Sequence, residues 1–377
     1  MSVRPLIGIV GSAGAYGRWL QRFFEQRMGL EVIGHDPADP DSHSPEELLE
    51  RAQVLIFSAP IRHTPALVAE YAERSAGREA GRLWLDVTSV KSAPVAAMLA
   101  SQAEVVGLHP MTAPPKAPTL KGRVMVVCQI IVVRPLCSAM VRPCTVSPIW
   151  MGRMKLVLLS MVVVACQARI STWQPWLDAL CAALEAECVQ ATPEHHDQVM
   201  ALVQAMVHAT HLAQAGVLRE YAPLLGALPA LMPYRSASFE LDTAIIARIL
   251  SMNPVIYEDI QFGNPHVAPM LERLLGQLQQ LHQQVLLGDD AARADFRHQL
   301  LRVNREHQGE AQLAQGNYTF ERVGYLLADL TERNAISVHL PEDRPGSLRE
   351  LLHVFERHGV SLASIHSSRT PGGEVHF

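Results

Sequence analysis

Residues 5–36 read PLIGIVGSAGAYGRWLQRFFEQRMGLEVIGHD, and this stretch decides the fold. Leu6 to Val10 is an apolar, β-branched run of the kind found in a buried parallel strand. Gly11, Gly14 and Gly17 break the run, and Ala15 to Met28 continues with helical periodicity. A second strand, Glu31 to His35, ends on Asp36. In such a βαβ unit the turn Gly11, Ser12, Gly14, Ala15, Tyr16 and Gly17 lets a pyrophosphate rest on a helix N-terminus. An acid placed like Asp36 accepts the ribose hydroxyls. The pattern is G-x-x-G-x-x-G, with Ser12 at the first glycine of the usual G-x-G-x-x-G. A plain strand-to-helix turn also uses glycines. The strand before, the helix after and the spacing of the acid favour a dinucleotide site, and Asp36 favours NAD over NADP.

With 377 residues the chain exceeds one ordinary core, so two or three domains are expected. Hydrophobic residues at 49% and charged ones at 18% describe a globular protein. A net charge of −5 without a long basic block leaves no footprint for nucleic acid. The N-terminus enters a strand directly, without a signal peptide. The six cysteines form no C-x-x-C pair, so reduced thiols are expected rather than disulfides or zinc. The most apolar segment, Lys155 to Ala165, is too short to span a bilayer. These features point to a cytoplasmic protein that uses neither membrane nor nucleic acid.

After Asp36, strands and helices alternate: helix 45–52, strand 54–57, helix 64–74, strand 82–87, helix 93–101, strand 104–108. That order predicts an α/β Rossmann-type, doubly wound parallel sheet with its ligand crevice beyond the carboxyl ends of the strands. Three strands deliver polar residues to that rim. They are Ser58 with Ala59 and Pro60, then Thr88, Ser89 and Lys91, then His109. Each alone is ordinary turn chemistry; together with the glycine turn they mark a site. Arg123–Cys128, Thr172–Ala186 and Cys188–Ala191 read as strand, helix and strand. Between them, Val105 to Leu177 holds no Asp or Glu. Within it, Ile130–Gln167 is apolar, cationic and proline-punctuated without periodicity, and it reads as a dispensable insertion.

From Pro193 the chain turns helical. Glu194–Leu218 is apolar nearly all round, which predicts a buried helix. Gln204, His208 and His211 nonetheless share it, so they either bond one another or face a ligand. Histidines three apart could hold a metal, but no third ligand has matching spacing, and no metal is expected. On helix 239–252, Arg248 has no carboxylate at i±3 or i±4. It is either a solvated rim residue or a guanidinium kept for a carboxylate substrate. Helices 267–287 and 292–308, rich in Leu and Gln, suit a dimerising bundle. Residues 335–377 then read as strand, helix, strand and the start of a hairpin. The expected domains are 1–192, 193–333 and 334–377.

Five stretches resemble the prephenate dehydrogenase family: Asp86-Val87-Thr88-Ser89-Val90-Lys91, Gly107-Leu108-His109-Pro110-Met111, His196-Asp197-Gln198, Gln204-Ala205-Met206-Val207-His208, and Ala247-Arg248 ahead of Asn253-Pro254. Residues 335–377, with Asp343-Arg344-Pro345-Gly346-Ser347-Leu348, look like the first half of an ACT domain, an amino-acid-sensing module, without its second half. The resemblance implies NAD-dependent oxidative decarboxylation of prephenate to 4-hydroxyphenylpyruvate, in a homodimer with tyrosine as a feedback ligand. It assigns His109 as the catalytic histidine and Ser89 as its companion. Substrate binding falls on His208 and Arg248, with Gln204 beside them. Cofactor binding falls on the glycine turn, Asp36, Ser58-Ala59-Pro60 and Ser89. Arogenate, which differs in its side chain, would use the same site. A nucleotide-binding regulatory protein without turnover is the reading from another class.

Overall fold

The strands, in chain order, are β1 (Ile7–Val10), β2 (Val32–His35), β3 (Val54–Phe57), β4 (Leu83–Asp86), β5 (Glu104–Pro110), β6 (Val124–Cys128), β7 (Ile131–Val133), β8 (Cys166–Ala168) and β9 (Glu187–Ala191). Seven of them make one sheet in the order β2-β1-β3-β4-β5-β6-β9. The computed structural model describes residues 4–112, 114, 118–121, 123–128, 131–133, 166–168, 170–331, 339–340, 345–362, 368–369 and 375–376. Strands β2, β1, β3, β4 and β5 are parallel, as the βα alternation requires. The remaining two strands complete the sheet. β6 runs antiparallel to β5, with His109 opposite Val126, and β9 then runs parallel to β6, so the sheet is mixed. Single-strand patterning carries no direction, and buried strands of either sense look alike.

Alternation along each strand sends side chains to two faces. Ile7, Ile9, Val54, Ile56, Leu83 and Leu85 pack with Trp19, Leu20 and Phe23 of α1 (Ala15–Phe23) and with Trp176, Leu177 and Leu180 of α5 (Gln174–Leu184). Val10, Leu55, Phe57 and Trp84 pack on the other face against α2 (Pro45–Arg51), α3 (Thr64–Ser75) and α4 (Ser92–Leu99). Helices on both faces give the doubly wound core that the alternation predicts.

The expected insertion falls mostly on residues 134–165, which lie outside the described residues. Its base is a two-stranded antiparallel ribbon in which Ile131, Val132 and Val133 of β7 face Ala168, Gln167 and Cys166 of β8. Beyond it the chain is fastened back to the sheet by Glu104. That carboxylate accepts backbone N–H groups of Ser171 (2.7 Å), Thr172 (2.9 Å) and Trp173 (3.1 Å).

The chain divides into two compact units, residues 1–213 with 248–271, and residues 214–247 with 272–377. The first contains the sheet, α6 (Pro193–Met200), a π-helical stretch Ala201–Met206 and α9 (Pro254–Gly263). Between these, α7 (Val207–Leu225) and α8 (Ala237–Ser251) each run from one unit into the other, as does α10 (Val267–Leu287). The helix expected to be buried is only half so. Ala201 and Ala205 pack against Ile260, Val267 and Met270, whereas Leu202 and Val203 are 52% and 54% exposed. A helix apolar all round needs cover on every side, and one chain covers one side.

The second unit is described through α11 (Asp290–Asp295), α12 (Val303–Gln308), α13 (Glu310–Thr331) and α14 (Ser347–Arg357). Leu275, Leu278, Val285 and Leu286 are exposed on α10. Its small antiparallel sheet has β12 (Val375–His376) between β10 (His339–Leu340) and β11 (Ser368–Arg369). Of the strand expected over Val360–Ser367, residues 360–362 are irregular and 363–367 lie outside the described residues.

Candidate active site

The glycine turn has the geometry its sequence demands. Gly11 sits at φ +87°, and a Cβ there would meet the Ser58 carbonyl oxygen at 2.5 Å, so only glycine fits between the β1 and β3 ends. Ser12, which replaces a glycine, is buried against Gly34, where a Cβ would lie 2.4 Å from that of Ser12. The extra volume of the serine is thus accommodated by a missing side chain on β2. Gly14 caps α1 without a side-chain hydrogen bond, and no acid stands in the first turn. That leaves an uncapped, positively polarised helix end. Asp36 closes the turn, accepting the N–H of Ala13 (3.0 Å) and of Ala38 (2.9 Å). Tyr16 packs edge-on to Trp19, and burial pushes its phenol above the usual range.

Strand β3 delivers Ser58, Ala59 and Pro60, and the following loop is tied to α9. Arg62 donates from Nε to Asp259 Oδ1 (2.8 Å), and its backbone N–H reaches Asp259 Oδ2 (3.2 Å). Strand β4 behaves differently from the expectation. Thr88 and Lys91 turn inward rather than to the rim. The buried Asp86 carboxylate takes the Thr88 hydroxyl (2.6 Å) and the Lys91 ammonium, and Lys91 Nζ also donates to the Leu108 carbonyl (2.8 Å). A buried carboxylate is stable only when so paired. Gly107 makes room for this pair, since a Cβ there would lie 3.0 Å from Lys91 Cδ. Ser89 stays half-buried in the turn, and among the described residues no hydrogen bond joins it to His109.

His109 is 2% exposed on β5, and its partner is His196 of α6. Its Nδ1 lies 2.8 Å from His196 Nε2, and His196 Nδ1 lies 2.8 Å from Asp197 Oδ1. Asp197 also accepts the backbone N–H groups of Lys91 and Ser92, both at 2.8 Å, which fixes α6 to the N-terminus of α4. Asn264 Nδ2 donates to the Asp197 carbonyl (2.7 Å). Burial, then the neighbouring charges of His196 and Lys91, hold His109 well below the ordinary imidazole value; Asp197 opposes them. Burial lowers His196 as well. Burial alone would raise Asp197, but hydrogen bonds from His196, Ser92 and Lys91 keep it below the usual carboxylate value.

Gln204 lies in the π-helical stretch, a distortion that often accompanies function. The Ala205 carbonyl there accepts from Gln261 Nε2 (2.9 Å). Gln204 Oε1 and His208 Nδ1 are buried atoms without a hydrogen-bond partner among the described residues. His208 packs edge-on to Tyr257, with ring centroids 4.7 Å apart, and burial lowers its pKa. Among the described residues no hydrogen bond joins the two side chains, and His211 Nδ1 lies 2.8 Å from the Val207 carbonyl oxygen. Arg248 is exposed and forms no ion pair among the described residues. Among the described residues, no hydrogen bond links Arg248, Gln204 or His208 to the His109 cluster. Sequence reasoning gave His196 and Asp197 no role. The signal was present in the acid following a histidine on the first turn of a helix, but its partner lay on a distant strand. Among the described residues, no cluster of three or more His, Cys, Asp or Glu could hold a metal.

Residues 192–300 match a family model described as the prephenate dehydrogenase dimerization domain, and residues 334–377 match the ACT domain. A 4-amino-4-deoxyprephenate dehydrogenase from Streptomyces pristinaespiralis is 30% identical over 321 residues, covering 80% of this chain and 92% of its own. A Methanocaldococcus jannaschii protein named "Probable arogenate/prephenate dehydrogenase" is 24% identical over 292 residues, or 73% of this chain. The chain spans only 55% of the length of that relative. A crystal structure of prephenate dehydrogenase from Aquifex aeolicus, in complex with hydroxyphenyl propionate and NAD+, shares the fold. It matches with a TM-score of 0.54 and 15% identity, over 82% of this chain and 99% of its own.

Proposed function

This chain belongs to the prephenate dehydrogenase family, and on that premise we propose that it is an NAD-dependent dehydrogenase oxidising and decarboxylating prephenate. The observation that carries the reading is the neutral, buried His109 at the carboxyl end of β5, on the same sheet rim as the glycine turn. Bound NAD would accept the hydride. The uncapped N-terminus of α1 holds its pyrophosphate, and Asp36 accepts its ribose hydroxyls and repels a 2′-phosphate. Ser58, Ala59, Pro60 and Ser89 line the same rim.

His109 removes the proton of the ring hydroxyl as that carbon becomes a carbonyl. A histidine kept neutral at pH 7 is suited to the task. Arg248 grips a substrate carboxylate, and the unpartnered atoms of Gln204 and His208 receive polar groups of the substrate. Loss of carbon dioxide then makes the ring aromatic and drives the reaction forward. The exposed apolar faces on the helices between residues 202 and 287 fit a homodimer, and the ACT match fits tyrosine as a regulator. Arogenate would enter the same site. Initial rates with prephenate and arogenate, each with NAD and NADP, test the reading. Prephenate with NAD should give the highest specificity constant. A preference for NADP would remove Asp36 from its role, and the absence of turnover with either substrate would overturn the reading.

A further inference from the structure

His109 can act as a base only if the nitrogen turned away from His196 carries a lone pair, and the contacts around it decide where its proton sits. Asp197 accepts the Lys91 N–H on Oδ1 and the Ser92 N–H on Oδ2, both backbone donors fixed at the start of α4. Asp197 Oδ1 therefore faces His196 Nδ1, at 2.8 Å, as an acceptor, and His196 carries its proton on Nδ1. A neutral imidazole has one N–H, so His196 Nε2 is an acceptor. It lies 2.8 Å from His109 Nδ1, which must donate. The one proton of neutral His109 is thus on Nδ1, and Nε2 is free to take another.

We propose that His196 and Asp197 are positioning residues that hold His109 in the Nδ1–H tautomer and stabilise the imidazolium it becomes. This rests on the dehydrogenase reading for its chemistry, although the tautomer itself does not. In the step, the substrate O–H bond breaks and its electron pair forms the second bond of the new carbonyl. The C–H pair leaves as hydride to the nicotinamide, and the proton bonds to His109 Nε2. The resulting positive charge is met through His196 by the carboxylate of Asp197. The other titratable groups around the pair do not compete. Lys91 is paired with Asp86, and burial pushes the Cys128 thiol on β6 up to about 12.

A purely structural role is the rival, because Asp197 also fastens α6 to α4. Nitrogen-15 NMR of the histidines in the full chain separates the two without requiring turnover. The proposal expects His109 protonated on Nδ1 at neutral pH, and an Nε2–H tautomer would overturn it whatever reaction the protein catalyses. Kinetics give the second arm. His196→Leu removes the acceptor and should lower kcat by about 10²-fold while leaving KM and thermal unfolding near wild type. His196→Gln can present an amide oxygen to His109 Nδ1 and should recover most of that loss. Equal turnover in His196→Leu and wild type would overturn the proposal. So would a loss in His196→Leu that His196→Gln fails to recover. Should His196→Leu fail to fold, the NMR assignment decides alone. A correct tautomer in a chain inert toward prephenate and arogenate would sink the dehydrogenase reading and leave the relay standing.

Discussion

Nδ1 of His109 and Nε2 of His196 stand 2.8 Å apart although 87 positions separate them in the chain. Burial is the first cause holding His109 well below 6.5, the ordinary imidazole value. The acid limb of kcat/KM reports the essential base of the free enzyme. Rates should therefore hold steady as the pH is lowered through 6.5 and fall only at more acid values. A limb at or above 6.5 would contradict the assignment of His109.

The same burial makes stability depend on pH. His109, His196 and His208 all have folded values below 6.5, the value of the unfolded chain. As the pH falls beneath that value, the unfolded chain binds protons that the fold refuses, so stability declines on acidification. Asp197 adds a contribution present above about 3.8 that is lost as the pH falls to its lowered folded value. Thermal unfolding midpoints should drop steadily from about pH 7 to about pH 5. A flat or rising midpoint would count against a fold that keeps His109, His196 and His208 neutral.

Arg248 is an exposed guanidinium without an ion pair among the described residues, which suits a group kept for a ligand carboxylate. Arg248→Ala should raise KM for prephenate by roughly 10²-fold or more, with a smaller effect on kcat. Steady-state kinetics provide the check, and an unchanged KM would return Arg248 to the status of a solvated rim residue.

What could be read in the sequence follows the range of the interactions. The β1 strand, the glycine turn, α1 and Asp36 are local, and their periodicity and turn chemistry point the same way. The direction of β6 was not legible, because it depends on which neighbour the strand finds. Lys91 read as a rim residue because it follows the carboxyl end of β4. Its burial becomes intelligible only with Asp86 and the Leu108 carbonyl beside it. The role of His196 was hidden for a like reason, its partners lying on β5 and at the start of α4. The helix through Leu202 and Val203 was over-read as buried, since an apolar surface does not say whether the same chain covers it.

Residues 134–165 should be dispensable. Both flanks are anchored without them, β6 within the sheet and Ser171 to Trp173 on the carboxylate of Glu104. Replacing the segment with an Asn-Gly turn would close β7 directly onto β8, a pairing the ribbon already makes. Shortening a loop changes closure entropy little, so turnover should match the full chain, and losing an acid-free apolar segment should improve solubility. Loss of turnover in a variant that still binds NAD would show that the segment acts on the substrate.

The central claim is that His109 takes the proton released as hydride leaves the substrate. Its most direct test is the initial rate of NADH formation with saturating prephenate, comparing the wild-type chain with His109→Asn. The account predicts that kcat falls roughly 10²- to 10⁴-fold, the usual range for a lost general base, with KM for prephenate little changed. A His109→Asn variant that turns over at the wild-type rate would contradict it.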